Sequence, residues 1–202
     1  MPNTQYLDIL AYRQRPMHRL AYRNFGSHES LVTNQSVEAG NGPGGPVAGI
    51  RWWEIRTPAT TPTIFQEGTY APGLTDGIHR WMGSIAQDRA GNMALGYSVS
   101  NATVFPGIRY TGRLFGDPAG VMAQGEGTFV DGVGVQTTTN SRWGDYTSMN
   151  VDPSDDCTFY FVGEYYPVTS AAGWMLRVGA FRFPTPECIP VPVELQTFTV
   201  QD

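Results

Sequence analysis

Between Arg142-Trp-Gly-Asp-Tyr and Glu164-Tyr-Tyr the chain is denser in acids and aromatics than anywhere else. Asp145, Glu164 and Tyr165 in that stretch are the types a glycosidase would use as acid and as a tyrosine–carboxylate nucleophile pair. Such chemistry needs paired carboxyl groups at a set separation, which spacing along a chain does not define. Three arginines open comparable stretches: His18-Arg19, His79-Arg80 and Ser141-Arg142, spaced 80−19 = 61 and 142−80 = 62 residues. A ring of Arg19, Arg80 and Arg142 would grip a carboxylate or other anion, since the guanidinium fork matches it bidentately. The bland reading is that arginines locked to a repeat brace neighbouring units, and a repeated position is more often architectural. Asp152, Asp155 and Asp156 bring three carboxylates within five residues, a set of oxygens that calcium would accept. The matching turns carry Asp88 with Asn92, and Asn24, which favours turn chemistry, because Asp and Asn side chains bond nearby backbone N–H groups.

Other chemistries find no residues. His18 and His79 share one repeat position and His28 stands alone in a turn, too few for a metal site. No Gly-rich loop leads from a strand into a helix, and no Ser-centred nucleophile elbow occurs. The formal net charge is −5, which argues against a nucleic-acid partner. All 13 basic residues are arginine, better suited to planar contacts than to solubility. No run of about 18 apolar residues predicts membrane insertion. The start, Met1-Pro-Asn-Thr-Gln-Tyr, lacks a basic head and an apolar run, so the chain reads as cytosolic or as a mature piece of a longer precursor. Cys157 and Cys188 leave a disulfide and two buried thiols both open.

The elements that would position these residues are strands. Helical signals are nearly absent, and the best candidate, Gly116-Asp-Pro-Ala-Gly-Val121, is broken by Gly and Pro. Runs of β-branched and aromatic residues alternate with Gly, Pro, Asn and Asp. Each opening stretch leads through a polar turn to a second strand: Ser30–Val37, Met93–Ser100 and Cys157–Glu164. A third follows at Gly49–Arg56, Gly107–Leu114 and Gly173–Phe181. Two units add a fourth, in Gln66-Glu-Gly-Thr-Tyr70 and Gly125-Glu-Gly-Thr-Phe129. The expectation is an all-β, β-propeller-like chain of about three four-stranded antiparallel blades, with units near 14–75, 76–137 and 138–190. A β-sandwich is the runner-up, but gives no reason for the repetition. The third unit lacks its own Glu-Gly-Thr strand, which leaves Tyr6–Tyr12 and the tail 191–202, a linker or closing strand, as spare segments. Closed propellers carry four to eight blades, so three would be part of a larger ring or be completed by another chain or copy.

Three sets of runs, taken together, resemble the C-terminal propeller portions of large predicted secreted bacterial proteins. They are Ala21-Tyr-Arg-Asn-Phe; His79-Arg-Trp-Met-Gly-Ser-Ile-Ala with Gly91-Asn and Leu95-Gly-Tyr-Ser; and Arg142-Trp-Gly-Asp-Tyr with Asp155-Asp-Cys-Thr-Phe. The likeness covers roughly residues 7 to 188; the family's longer N-terminal portion is missing. It implies a sialidase-like or Asp-box-like propeller, an extracellular or cell-surface destination, and no settled activity. It also implies that Cys157 pairs with Cys188. The tail Val191-Pro-Val-Glu-Leu-Gln-Thr-Phe-Thr looks like linkers that precede surface-sorting domains, which implies a chain continuing beyond Asp202. Sialidases set three arginines beside a Tyr–Glu pair and an Asp acid, the roles open here to Arg19, Arg80, Arg142, Tyr165, Glu164 and Asp145. The leading expectation is a secreted scaffold or interaction module with no catalysis of its own. The alternative is a glycan-binding or glycoside-hydrolysing propeller.

Overall fold

The computed structural model describes residues 15–56, 61–138, 142–144 and 146–188. The described chain is all-β apart from single helical turns at Gly73–Asp76 and Pro186–Cys188. Three antiparallel sheets follow one another along it. The first holds β1 (Ala21–Asn24), β2 (Glu29–Gly42), β3 (Gly45–Arg56) and β4 (Thr63–Tyr70) in that order. The second holds β5 (His79–Gln87), β6 (Met93–Ser100), β7 (Gly107–Arg113) and β8 (Glu126–Val130). The third holds β9 (Ser148–Val151), β10 (Phe159–Tyr165) and β11 (Met175–Phe181).

The third sheet has three strands among the described residues, as many as its own unit supplies in the sequence reading. Arg142–Gly144 do not open it, in contrast to the sequence reading: they lie outside any strand, and β9 starts at Ser148. Tertiary packing outweighs strand propensity there. The Trp143 ring is buried between Trp81 and Tyr166, its N–H donates to Ser98 Oγ at 3.0 Å, and Gly144 turns the chain at φ +56°. Likewise Arg19 precedes β1 instead of opening it. Asp145, Tyr6–Tyr12 and the tail 191–202 lie outside the described residues.

The sheets stack in chain order. Along β2, Ser30, Val32, Asn34 and Ser36 are buried while the residues between them are half-buried, the period-2 pattern of a sheet with one covered face. The covered face shares a core with the second sheet: Val32, Ile50 and Trp52 cluster with Ile85, Met93, Leu95, Tyr97 and Val99. The other face of the second sheet meets the third, where Ala86, Ala94 and Ile108 cluster with Met149, Phe159, Phe161 and Phe183. With both faces covered, β6 is buried at every residue, and its sequence accordingly lacks a polar face.

β5 runs between the other two sheets and is stitched to both. A bulge falls between Trp81 and Ser84, with Met82 at φ +51°. The Met82 amide donates to Ser36 Oγ of the first sheet at 3.0 Å, and its carbonyl accepts from Thr147 Oγ1, just ahead of β9, at 3.1 Å. Ser84 Oγ donates to the His18 carbonyl and accepts from the Met149 amide, each at 2.8 Å. The freed backbone groups of the bulge are thus satisfied across sheets, as buried polar groups require. Cys157 and Cys188 form a disulfide across 31 residues, tying the final turn to the start of β10.

Candidate functional site

The three hairpin turns set a common frame. Phe25 N bonds His28 O, Asp88 N bonds Asn92 O, and Asp152 N bonds Thr158 O. The first paired residues beyond them are Glu29, Met93 and Phe159. The turn side chains do what Asp and Asn do in turns. Asn24 accepts from Gly26 N, Asp88 from Ala90 N and Asn92 N, and Asp152 from Ser154 N. Asp155 accepts from Cys157 N and Thr158 N, both at 2.9 Å. These local bonds hold the Asp152 and Asp155 carboxyls below their usual range, against the burial of Asp155. Asp156 sits in the left-handed region at φ +56° and receives the Arg23 fork, with Nη1 to Oδ2 at 2.7 Å. Arg23 Nε also donates to the Gln87 carbonyl at 3.0 Å, so one β1 side chain ties the first sheet to the end of β5 in the second and to the turn of the third. Among the described residues, no group of three or more His, Cys, Asp and Glu is placed to hold a metal ion.

The three strand-opening arginines stand in different surroundings. Arg19 and Arg142 are exposed, whereas Arg80 is 2% exposed. All five of its N–H groups are taken: Nε goes to Glu126, Nη1 to Asp76 and the Ile78 carbonyl, and Nη2 to Asp76 and Glu126, at 2.7–3.0 Å. Glu126 also accepts from Arg109 Nη1 at 2.7 Å and from the Tyr97 hydroxyl at 2.8 Å. Burial opposes the Arg80 charge, but the hydrogen bonds it donates to Asp76 and Glu126 hold its pKa above the ordinary arginine value. Burial would raise Glu126, yet Arg80, Arg109 and Tyr97 bring it below the usual range; the Arg80 fork does the same for Asp76. Burial first, then the Glu126 and Tyr70 neighbours, push the Tyr97 hydroxyl well up. Arg80 is thus saturated and offers no free donor to a ligand, whereas Arg109, which shares Glu126, keeps a buried Nε with no hydrogen-bond partner among the described residues.

Glu164 and Tyr165 are successive residues of β10, so their side chains leave opposite faces of the sheet. One Glu164 oxygen accepts from the Gly144 amide at 3.1 Å. An open depression of about 330 Å³ lies beside the final turn, with Asn92, Phe115, Asp117 and Glu187 in its lining. Asp117 already accepts from Leu114 N and Gln124 Nε2 there. The sequence reading missed the Glu126 cluster as a unit. Its signal was the repeated Glu-Gly-Thr: Arg51 faces Thr69 and Arg109 faces Thr128, and each arginine is ion-paired to the glutamate of the fourth strand, Glu67 or Glu126.

A second feature was also missed, and it is a surface. Three residues beyond the first pair of each hairpin stand Val32, Gly96 and Val162, opposite Glu54, Tyr110 and Val178. Two residues further stand Asn34, Ser98 and Glu164, opposite Trp52, Ile108 and Leu176. In the first sheet these positions are buried against the second, and Gly96 of the second lies under the Phe161 ring of the third. In the third sheet the same face is largely open: Val178 is 63% exposed, Leu176 57% and Tyr160 41%, with Val162 and Glu164 half-buried between them. The outer edge of β11, which β4 or β8 would occupy in the other sheets, pairs with no strand among the described residues. No protein-family model, curated protein or solved structure matches the chain.

Proposed function

We propose that the chain is a secreted or cell-surface module of propeller-like blades that serves as a scaffold and docking surface, with no catalysis of its own. The observation that carries this is the exposure of Tyr160, Leu176 and Val178 around the half-buried Val162, at positions covered in the preceding sheets. Contiguous exposed apolar surface of this kind marks interaction sites. The disulfide supports an oxidising destination, since such bonds persist outside the cytosol. The stacking of successive antiparallel sheets, each leaving its forward face to the next, supports the blade reading. The saturated guanidinium of Arg80 weighs against an arginine-based glycan site.

Hydrogen exchange on dilute protein tests the docking surface. The β6 amides should exchange only through global unfolding, and those of β11 much faster. Equal protection of β6 and β11 in dilute protein would mean that the face is already covered, and the docking reading fails. Turnover of a fluorogenic sialoside, or specific retention on a glycan array, would overturn the non-catalytic part.

A further inference from the structure

We infer that the bare face of the third sheet is covered by the outer face of the first sheet of a second copy, head to tail, closing a ring of six sheets. This rests on the docking-surface reading above and names its partner. Within the chain, the residue three places beyond the first pair of one sheet packs under the residue two places beyond it in the next. Val32 shares a core with Leu95, and Gly96 lies under Phe161. The forward position left without a successor is Val162, and the rear position left without a predecessor is Leu31. Joining them restores the Val–Leu combination already found between the first and second sheets. It also compensates in volume, because Leu31 is smaller than Phe161 where Val162 is larger than Gly96.

The rear face carries more than Leu31. Tyr22 faces Leu31, Leu31 faces Ile55, and Ile55 faces Ile64, an apolar row crossing all four strands of the first sheet. Tyr22 and Ile64 are 57% and 59% exposed. Among the described residues, two apolar ends therefore stand unmatched, at residue levels that correspond to those the sheets already join. The contact is heterologous, so it must close or extend, and six blades fall within the range in which propellers close.

Sedimentation equilibrium on the intact chain, with two variants at exposed sites, tests this. The wild type should run at twice 22.2 kDa. Val178→Glu on the forward face and Ile64→Glu on the rear face should each raise the dissociation constant by about thirtyfold or more, the loss expected of an interface hot spot. Circular dichroism and tryptophan emission should stay native in both. Mixing the two variants should restore a one-to-one pair through the single undamaged contact. If only Val178→Glu dissociates the pair, two third sheets meet face to face and the inference falls. Masses that grow without limit overturn the closed ring. A wild-type monomer overturns the second copy as partner: fast exchange in β11 would leave the docking reading standing, whereas slow exchange there would sink both.

Discussion

The second and third sheets begin from the same hairpin frame and end in opposite conditions. In β6 every side chain is buried; β10 packs Phe159 and Phe161 on one face and opens Tyr160 on the other, while β11 is exposed from Met175 to Val178. The forward positions of β6 are Ala94, Gly96 and Ser98, small enough for the next sheet to approach closely, whereas β10 places Tyr160, Val162 and Glu164 there. Burial in this molecule is thus a property of the stack, decided by whether another sheet follows. A strand's own hydrophobicity does not decide it.

The sharpest way to separate the two faces of the third sheet is Phe161→Ala. Phe161 is 1% exposed and fills the core against Gly96, Ala94 and Ile108, so its removal should cost about 3–5 kcal/mol in urea unfolding. A cost below about 1 kcal/mol would mean that the second and third sheets are not packed as described.

Arg80→Met probes the buried charge of the second sheet and should cost about 3 kcal/mol, because it strands the Glu126 and Asp76 carboxylates. Both acids have folded pKa values below their unfolded ones, near 4.5 and 3.8. Their contribution is therefore complete above those unfolded values and is lost as pH falls through the lower folded ones. Asp88, which burial raises, works in the other sense: the fold tolerates its proton and loses stability as pH rises past 3.8. Wild-type stability should decline from about pH 5 downward. Arg80→Met should flatten that decline, and an unchanged acid slope would show that the ion cluster is not its source.

Much of this frame was legible in the chain. The strands expected at Met93–Ser100 and Gly107–Leu114 from β-branched and aromatic runs between Gly, Pro, Asn and Asp fall on β6 and β7, and the two Glu-Gly-Thr runs mark the fourth strands. The disulfide also matches. What the chain concealed are tertiary choices. Arg19, Arg80 and Arg142 share a motif, yet Arg19 and Arg142 are exposed while Arg80 is buried between carboxylates brought by β8 and by the short helical turn at Gly73–Asp76. Trp143 looked like part of a strand because nothing local shows that its ring belongs between Trp81 and Tyr166. The bare face was unreadable for the same reason, since Val178 and Ile108 look alike until their coverings are known.

Gly96→Ala tests the close approach that distinguishes β6 from β10. A β-carbon there would overlap the Phe161 ring, so overpacking should cost about 1–3 kcal/mol. The double variant with Phe161→Leu should recover part of this, since the shorter side chain makes room. No recovery would place the strain elsewhere than between the second and third sheets.

The smallest expected effect lies on the bare face, and its dependence on concentration carries the information. Leu176 is 57% exposed, so in protein dilute enough to be monomeric Leu176→Ser should change unfolding stability by no more than about 0.5 kcal/mol, as for an ordinary surface position. Leu95 in β6 is fully buried, and Leu95→Ser would be severe at any concentration. If a second copy covers the third sheet, mass action adds stability to the wild type as protein concentration rises, and Leu176→Ser should lose that increment. Two unfolding series, one on each side of the association midpoint, therefore read the same substitution as neutral and then as costly. A cost already present in the monomer would mean that the chain covers this face itself, and the contrast between the second and third sheets would disappear.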